Sequence, residues 1–242
     1  IWDILVDLTR LIRGQYQLRL FGVLKKQTLL QVWYTAIQVL PLLGSIAIGI
    51  GVVVLAIGFR TLQALGAEEL FVPIFRHGVI GELIPLIISI IVLARSSTAM
   101  TADVASQVIN GEMDLMKAHN MSPPLLILLP RILGTSLSLL SLVGVCMGVL
   151  AASTFLIAPL LDLSLVQVQG IWSASLVLVD IQWVGIKLIL NGLLISLISC
   201  YTAMNIRRDI RELPKASSQS VIISLFSLFL LEVVMLFFRW LS

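Results

Sequence analysis

Residues 95–134, RSSTAMTADVASQVINGEMDLMKAHNMSPPLLILLPRILG, are the longest polar interruption in a chain that is otherwise apolar. Between residues 95 and 107, small side chains recur every three or four positions, which predicts a helix that another backbone can approach closely. Asn110 and Gly111 break this helix, and Pro123 stops the short amphipathic run that follows. We therefore predict a short helix over 110–119 between two membrane helices, the form expected of a part that contacts a soluble partner.

The composition is that of a membrane protein. Hydrophobic residues make up 59% of the 242 residues and charged residues 12%, whereas soluble domains are typically about 25% charged. Nucleic-acid binding finds no support, because the chain shows no basic face interleaved with aromatic residues. Cys146 and Cys200 both lie in apolar segments, so we interpret them as small hydrophobic side chains rather than a disulfide or a metal pair.

Five apolar stretches are long enough to cross a bilayer, which takes about 20 helical residues. The predicted fold class is an all-α integral membrane protein with an N-terminal interfacial helix and five transmembrane helices. The predicted membrane helices are residues 36–59, 79–107, 125–161, 183–206 and 220–239. The stretches 60–78 and 162–182 between them are interpreted as connections outside the membrane.

The N-terminal residues 1–30 are predicted to lie along the membrane surface. Ile1, Leu5, Leu8 and Ile12 recur with a helical period, and charged residues occupy the opposite side. Such a segment is too charged to span the bilayer, and its basic residues suit anionic headgroups. The alternative is a helix packed in a soluble subdomain.

The distribution of basic residues predicts the orientation. Five Lys and Arg residues lie in the N-terminal segment, three between residues 95 and 131, and four between residues 207 and 215. Arg60, Arg76 and Arg239 fall on the other side of the predicted membrane. Because cytoplasmic loops carry the excess of Lys and Arg, we predict a cytoplasmic N-terminus and a periplasmic C-terminus.

A charge inside a membrane span is costly, and three of the ionisable residues in the predicted spans lie on one side of the membrane. Lys187, Glu232 and Glu82 all fall towards the outer side of the predicted topology. One interpretation is that Lys187 extends its ammonium group to the membrane surface, or that a Lys–Glu pair stabilises the helices. The other is a polar patch in an outward-opening cavity that receives a charged headgroup. The sequence leaves both open.

The chain carries no catalytic motif. It has no phosphate-binding GxxxxGK[ST] loop, no HExxH, no GxSxG and no clustered Cys and His ligands. Its two histidines are 42 positions apart and do not suggest a metal site. A transport subunit that is energised by another protein is the function class that fits this pattern, rather than an enzyme.

The chain resembles the MlaE (YrbE-type) permease family, the membrane subunits of ABC transporters that work with MCE-domain proteins on lipids. The ungapped central block carries the resemblance through Ala94, Arg95, Thr98, Ala99, Ala102, Asp103, Val104, Asp114, Leu115, Pro123, Pro130, Arg131, Ile132, Leu133 and Gly134. Further agreement comes from Gln31, Leu40-Pro41, Lys187, Gly192, Ile198-Ser199-Cys200-Tyr201 and Lys215-Ala216-Ser217-Ser218. Asp103, Ala105 and Gln107 depart from the family pattern, so we expect an ATPase contact tuned to this chain's own partner.

The resemblance implies a single permease domain over residues 1–242, with 1–30 as the elbow helix and 110–119 as the coupling helix. It implies a homodimer in the bacterial inner membrane, two copies of a cytoplasmic ATPase that holds ATP and Mg²⁺, a hexameric periplasmic MCE protein and often a STAS-domain protein. The substrate would be phospholipid moved between the inner and outer membranes. A permease for a small solute and a stand-alone scaffold or channel are the alternatives.

On this interpretation, the candidate site residues fall into three groups. The ATPase-coupling residues are Glu112, Met113, Asp114, Leu115, Met116 and Lys117. The lipid-binding candidates are Lys187, Glu232, Glu82, Leu40 and Tyr201. The structural candidates are Arg95, Asp103, Pro130 and Arg131. No catalytic residue, metal ligand or cofactor is expected in this chain.

Overall fold

A computed structural model describes residues 17–118, 123–161, 163–175 and 178–241. Throughout these ranges the secondary structure is helical and contains no strand. Five helical stretches are long and apolar enough to cross a membrane: Lys26–Ala64, Glu68–Ile109, Ile127–Leu160, Asp180–Met204 and Ile210–Arg239. The predicted all-α fold class with five membrane helices is confirmed. Residues 1–16, most of the predicted interfacial helix, lie outside the described residues.

The first span is a run of helices without a sharp break. Its α-helices are α1 (Gln17–Ala36), α2 (Leu40–Val53) and α3 (Arg60–Ala64). A 3₁₀ turn at Ile37–Val39 and a π-helical segment at Val54–Phe59 join them. Pro41 lies in the first turn of α2, where its missing N–H would have had no helical partner in any case.

The second span begins earlier in the chain than the predicted 79–107. It comprises α4 (Phe71–Ile74), a π-helical segment Phe75–Leu83, α5 (Ile84–Val92), a second π-helical segment Leu93–Ser97 and α6 (Thr98–Ile109). The helix extends into the predicted connection because Phe71 and Phe75 bury one face of it. The short helix α7 (Glu112–Ala118) follows.

The remaining helices are α8 (Pro123–Ile157), α9 (Leu165–Ser175), α10 (Leu178–Met204) and α11 (Leu213–Leu241). Pro130 lies inside α8. Helix α9 occupies a stretch that we interpreted as a plain connection. Its buried residues Val168, Ile171, Trp172 and Ser175 recur at helical spacing, a signal that the sequence already contained.

The described residues form two compact units. The first unit comprises the described parts of Ile1–Ile37, Ile90–Ser138 and Leu190–Ser242. Its helices approach closely at small residues: a Cβ on Gly134 would lie 2.6 Å from the Gln31 side chain, and one on Gly192 would lie 2.8 Å from the Ser136 Cα. Close helix crossing at glycine is typical of membrane proteins.

Buried hydroxyl groups also join the helices of the first unit. Ser97 Oγ lies 2.8 Å from Ser199 Oγ and 2.9 Å from Ser220 Oγ, so α10, α11 and the second span meet at three serines. Thr135 Oγ1 of α8 lies 2.5 Å from Ser196 Oγ of α10. In a membrane interior such bonds satisfy polar groups that lipid cannot.

The second unit comprises Gln38–Ser89 and the described parts of Leu139–Ile189. An aromatic series holds one part of it together. Phe59 and Phe71 meet edge to face, Phe71 stacks on Phe75, and Phe75 meets Trp172 of α9 edge to face. The Trp172 Nε1–H donates to Thr154 Oγ1 at 2.9 Å. These contacts attach α9 to the third span and to the start of the second.

Candidate functional site

The short helix α7 is attached to the protein by its two methionines. Met113 and Met116 are half-buried and pack on an apolar cluster made by the ends of three spans. The cluster consists of Val104, Ala105, Ile127, Leu128, Cys200 and Ala203. Two of the six predicted coupling residues therefore face their own protein.

The opposite face of α7 points away from the cluster. At 100° per residue, Asp114, Leu115 and Ala118 lie opposite the two methionines, and all three are exposed. Leu115 is a large apolar side chain that is 63% exposed. Glu112 is exposed at the first position of the helix. Lys117 lies in α7, but its side chain is outside the described part of the structure.

The direction of α7 is set by a glycine turn. Gly111 has φ +75°, a backbone conformation that other residues adopt only with strain. Its carbonyl accepts hydrogen bonds from the amides of Asp114 at 3.1 Å and Leu115 at 3.3 Å. The Asn110-Gly111 break in the sequence is thus a defined turn that reverses the chain after α6.

Asp114 forms an ion pair within its own chain. Arg208 Nη2 donates to Asp114 Oδ2, and both side chains are more than half exposed. Arg208 belongs to the connection between the fourth and fifth spans. Sequence reasoning missed this partner, because 94 positions separate the two residues and nothing local relates them.

Two of the predicted structural residues form a second ion pair near the base of α7. Arg131 Nη2 donates to Asp103 Oδ2, and Arg131 Nη1 donates to the Ile127 carbonyl at 2.7 Å. The pair joins the middle of α6 to the third turn of α8. Pro130 is buried beside it, whereas Arg95 is exposed at the π-helical segment that precedes α6.

Two of the lipid-binding candidates are paired with each other. Lys187 Nζ donates to Glu82 Oε2. The Lys187 side chain is fully buried, and the Glu82 side chain is 25% exposed. The Lys187 ammonium group is therefore directed at a carboxylate within the protein. Glu82 lies in the π-helical segment Phe75–Leu83, and π-helical turns are frequent at functional sites.

Glu232 has a different partner, in the first unit. Asn191 Nδ2 donates to Glu232 Oε1 at 3.2 Å, and both residues are buried. Sequence reasoning did not single out Asn191. Its signal was present, because a polar amide inside an apolar span is itself uncommon and tends to hydrogen-bond across helices.

Comparison with known proteins connects these features. The family model described as Permease MlaE matches residues 28–238. The chain belongs to the MlaE permease family. A search of curated proteins finds no match.

Membership in the MlaE family agrees with the five membrane helices, and together they support a membrane permease subunit of an ABC transporter. The family is one of transporter membrane subunits and not a catalytic family. Among the described residues, no group of three or more His, Cys, Asp or Glu side chains could hold a metal ion. Cys146 and Cys200 are buried free thiols, as expected for small hydrophobic side chains.

The other two lipid-binding candidates of this MlaE-family permease lie apart from ion pairs. Leu40 is half-buried as the first residue of α2. Tyr201 is 70% exposed, one turn before the end of α10. Exposed tyrosines near helix ends are typical of the bilayer interface.

A further ion pair was missed by sequence reasoning. Arg76 Nε lies 2.5 Å from Asp180 Oδ2, and His77 Nδ1 lies 3.9 Å from Asp180 Oδ1. Asp180 is buried in the first turn of α10. The His77 side chain is about half exposed beside this carboxylate. The pair links the start of the second span to the start of the fourth.

Proposed function

We propose that this permease moves phospholipid between the inner and outer membranes of a bacterial envelope, driven by a separate cytoplasmic ATPase. The family match over residues 28–238 carries the proposal. The supporting features are a short helix between two spans, with one face exposed, and buried charged groups inside the spans. Lipid transport needs both a membrane pathway and a source of energy, and the chain has no nucleotide-binding loop of its own.

The ATPase receives α7 in a groove. The methionine face of α7 packs on the permease, which leaves Asp114, Leu115 and Glu112 for the partner. Because Met113 and Met116 rest on the ends of the second, third and fourth spans, movement of α7 displaces those spans. Two ATPase copies, each with ATP and Mg²⁺, serve a homodimer of permeases. Five helices are few to enclose a lipid, which favours a pathway between two protomers.

The remaining partners lie outside the cytoplasm or beside the ATPase. A hexameric MCE-domain protein on the periplasmic side receives or delivers the lipid, and a STAS-domain protein accompanies the ATPase. The basic segments of the chain favour a cytoplasmic N-terminus and a periplasmic C-terminus in the inner membrane.

The Lys187–Glu82 pair is the proposed contact for the lipid headgroup. Glu82 is the exposed member of the pair, and the Lys187 ammonium lies behind it. A phosphate that replaces the Glu82 carboxylate on Lys187 preserves a charge-assisted hydrogen bond in a buried setting. Headgroup capture then keeps the Lys187 ammonium paired with an anion and releases the partly exposed Glu82 carboxylate.

The test is purification of the permease with its co-expressed ATPase in lipid nanodiscs, followed by native mass spectrometry and a vesicle assay of phospholipid transfer. We expect bound phospholipid, and transfer that requires ATP hydrolysis. The matched control replaces ATP with a non-hydrolysable analogue. A bound water-soluble ligand would instead identify a small-solute permease, and failure of any ATPase to bind would identify a scaffold or channel.

A further inference from the structure

The connection between the fourth and fifth spans reaches α7 from the side. Arg208 belongs to this connection, and its guanidinium binds the carboxylate of Asp114. Asp114 lies on the exposed face of α7, opposite the face on which Met113 and Met116 pack against the permease. A protein that covers this exposed face of α7 must therefore also contact the segment that carries Arg208.

The segment presents an exposed apolar side chain from a defined turn. Ile210 is 74% exposed at the first position of the 3₁₀ turn Ile210–Glu212. The Asp209 side chain caps this turn by accepting a hydrogen bond from the Arg211 amide at 3.0 Å. The Glu212 amide donates to the Asp209 carbonyl at 3.1 Å. Ile210 is therefore held in one backbone conformation, which lowers the entropy lost when it binds.

The charges around Ile210 indicate the chemistry of its partner. Arg207 and Arg211 flank it and are exposed. Among the described acidic side chains, none forms a salt bridge with either arginine, whereas Arg208 is already neutralised by Asp114. An apolar pocket with an acidic rim complements this arrangement.

We propose that residues 207–211 form the second half of the ATPase-docking surface, with Ile210 as an apolar anchor beside Leu115. Arg208 is the positioning residue that joins the two halves through Asp114. The partner is the ATPase subunit itself, whose groove takes α7 and whose acidic edge takes Arg207 and Arg211. This inference rests on the proposed function, because it assumes that α7 docks on an ATPase.

Site-specific photo-crosslinking in the assembled transporter tests the surface directly. A photoreactive phenylalanine analogue is placed at Leu115, Ile210 or Leu65; Leu65 is a 73% exposed leucine in the connection between the first two spans. We expect crosslinks to the ATPase from positions 115 and 210 and none from 65. If position 115 crosslinked to the ATPase while position 210 crosslinked only to lipid or to nothing, the inference would be overturned and the proposed function would stand. Absence of ATPase crosslinks at both positions would overturn the proposed function.

A charge reversal at Arg208 tests the role of this residue. The variant Arg208→Asp is expected to weaken ATPase binding about tenfold, the scale of a single interface anchor, because it repels Asp114 and displaces Ile210. The variant Arg208→Lys keeps a positive charge beside Asp114 and is expected to retain most of the affinity. The control is Arg60→Asp, an exposed arginine in α3. Unchanged affinity in Arg208→Asp, or a loss in Arg208→Lys as large as that in Arg208→Asp, would contradict the positioning role.

Discussion

Gly192 is the residue on which the crossing of α10 and α8 depends. A Cβ there would lie 2.6 Å from Ser136 Oγ, 2.8 Å from Ser136 Cα and 2.9 Å from Ser136 N. Two of these atoms belong to the backbone, so the helices would have to separate. Gly192→Ala is expected to destabilise the permease by about 1–3 kcal/mol, the usual cost of overpacking.

The control for Gly192→Ala is Gly185→Ala, two turns earlier on the same helix. A Cβ at Gly185 has its nearest neighbour at 4.0 Å, an ordinary contact with Leu140. This variant is expected to be neutral or slightly stabilising, because Ala has the higher helix propensity. Thermal unfolding in detergent gives the comparison. Equal melting temperatures for the two variants would show that the crossing is looser than described.

Lys187 and Glu82 stabilise each other inside the membrane. Lys187→Met keeps the length of the side chain but leaves the Glu82 carboxylate without its ammonium partner. Breaking a buried pair in this way typically costs about 3–5 kcal/mol, whereas replacing both members is far milder. We expect a clear loss of thermal stability in Lys187→Met and substantial recovery in Lys187→Met with Glu82→Gln.

The control for this pair is Lys215→Met, which removes an exposed lysine. Native mass spectrometry of the same variants measures bound phospholipid. Full lipid occupancy in the stable double variant would contradict the proposed headgroup contact, while equal stability of the single and double variants would contradict the importance of the pair.

At the scale of elements, the orientation of α7 depends on the turn at Gly111. With φ at +75°, a Cβ at this position strains the backbone by roughly 1–2 kcal/mol. Gly111→Ala is therefore expected to reorient or loosen α7 and weaken ATPase binding. Gly111→Asn is expected to be milder, because Asn tolerates this conformation.

Gly66 provides the matched control, since it has φ +68° in the connection between the first two spans. Gly66→Ala is expected to cost similar stability and to leave ATPase binding unchanged. Pull-down of the ATPase at equal permease concentration distinguishes the two variants. If both glycine variants bound the ATPase equally, the turn before α7 would have no special role in docking.

The same scale shows what could be predicted from the sequence. The five spans were predictable because hydropathy summed over about 20 residues is insensitive to single polar positions. The bounds of the helices were less predictable. Because Phe71 and Phe75 are buried, the second span extends through residues that look polar in the sequence. Helix α9 was missed although its buried residues recur at helical spacing.

The site residues were predictable as residue types but not as pairs. Lys187 and Glu82 stood out because charge within a span is rare, and Asp103 and Arg131 stood out through the family resemblance. Their partners depend on where helices cross, since 105 positions separate Lys187 from Glu82. Arg208 was inconspicuous because it is one of several basic residues in a loop, and its position beside Asp114 appears only in the fold.

At the scale of the whole molecule, the chain is a membrane permease subunit, and we propose that it draws its energy from a separate ATPase. The family assignment and the five spans support the permease class. The proposed function requires residues 110–119 to face the cytoplasm, where ATP is hydrolysed, and the connection between the first two spans to face the opposite side.

The most direct measurement is the accessibility of single cysteines in oriented membrane vesicles. Cys146 and Cys200 are buried and are replaced by alanine, and one cysteine is introduced by Glu112→Cys or Leu65→Cys, both at exposed positions. We predict that a membrane-impermeant maleimide labels position 112 only in inside-out vesicles and position 65 only in right-side-out vesicles. Labelling of position 112 from the periplasmic side would contradict the account.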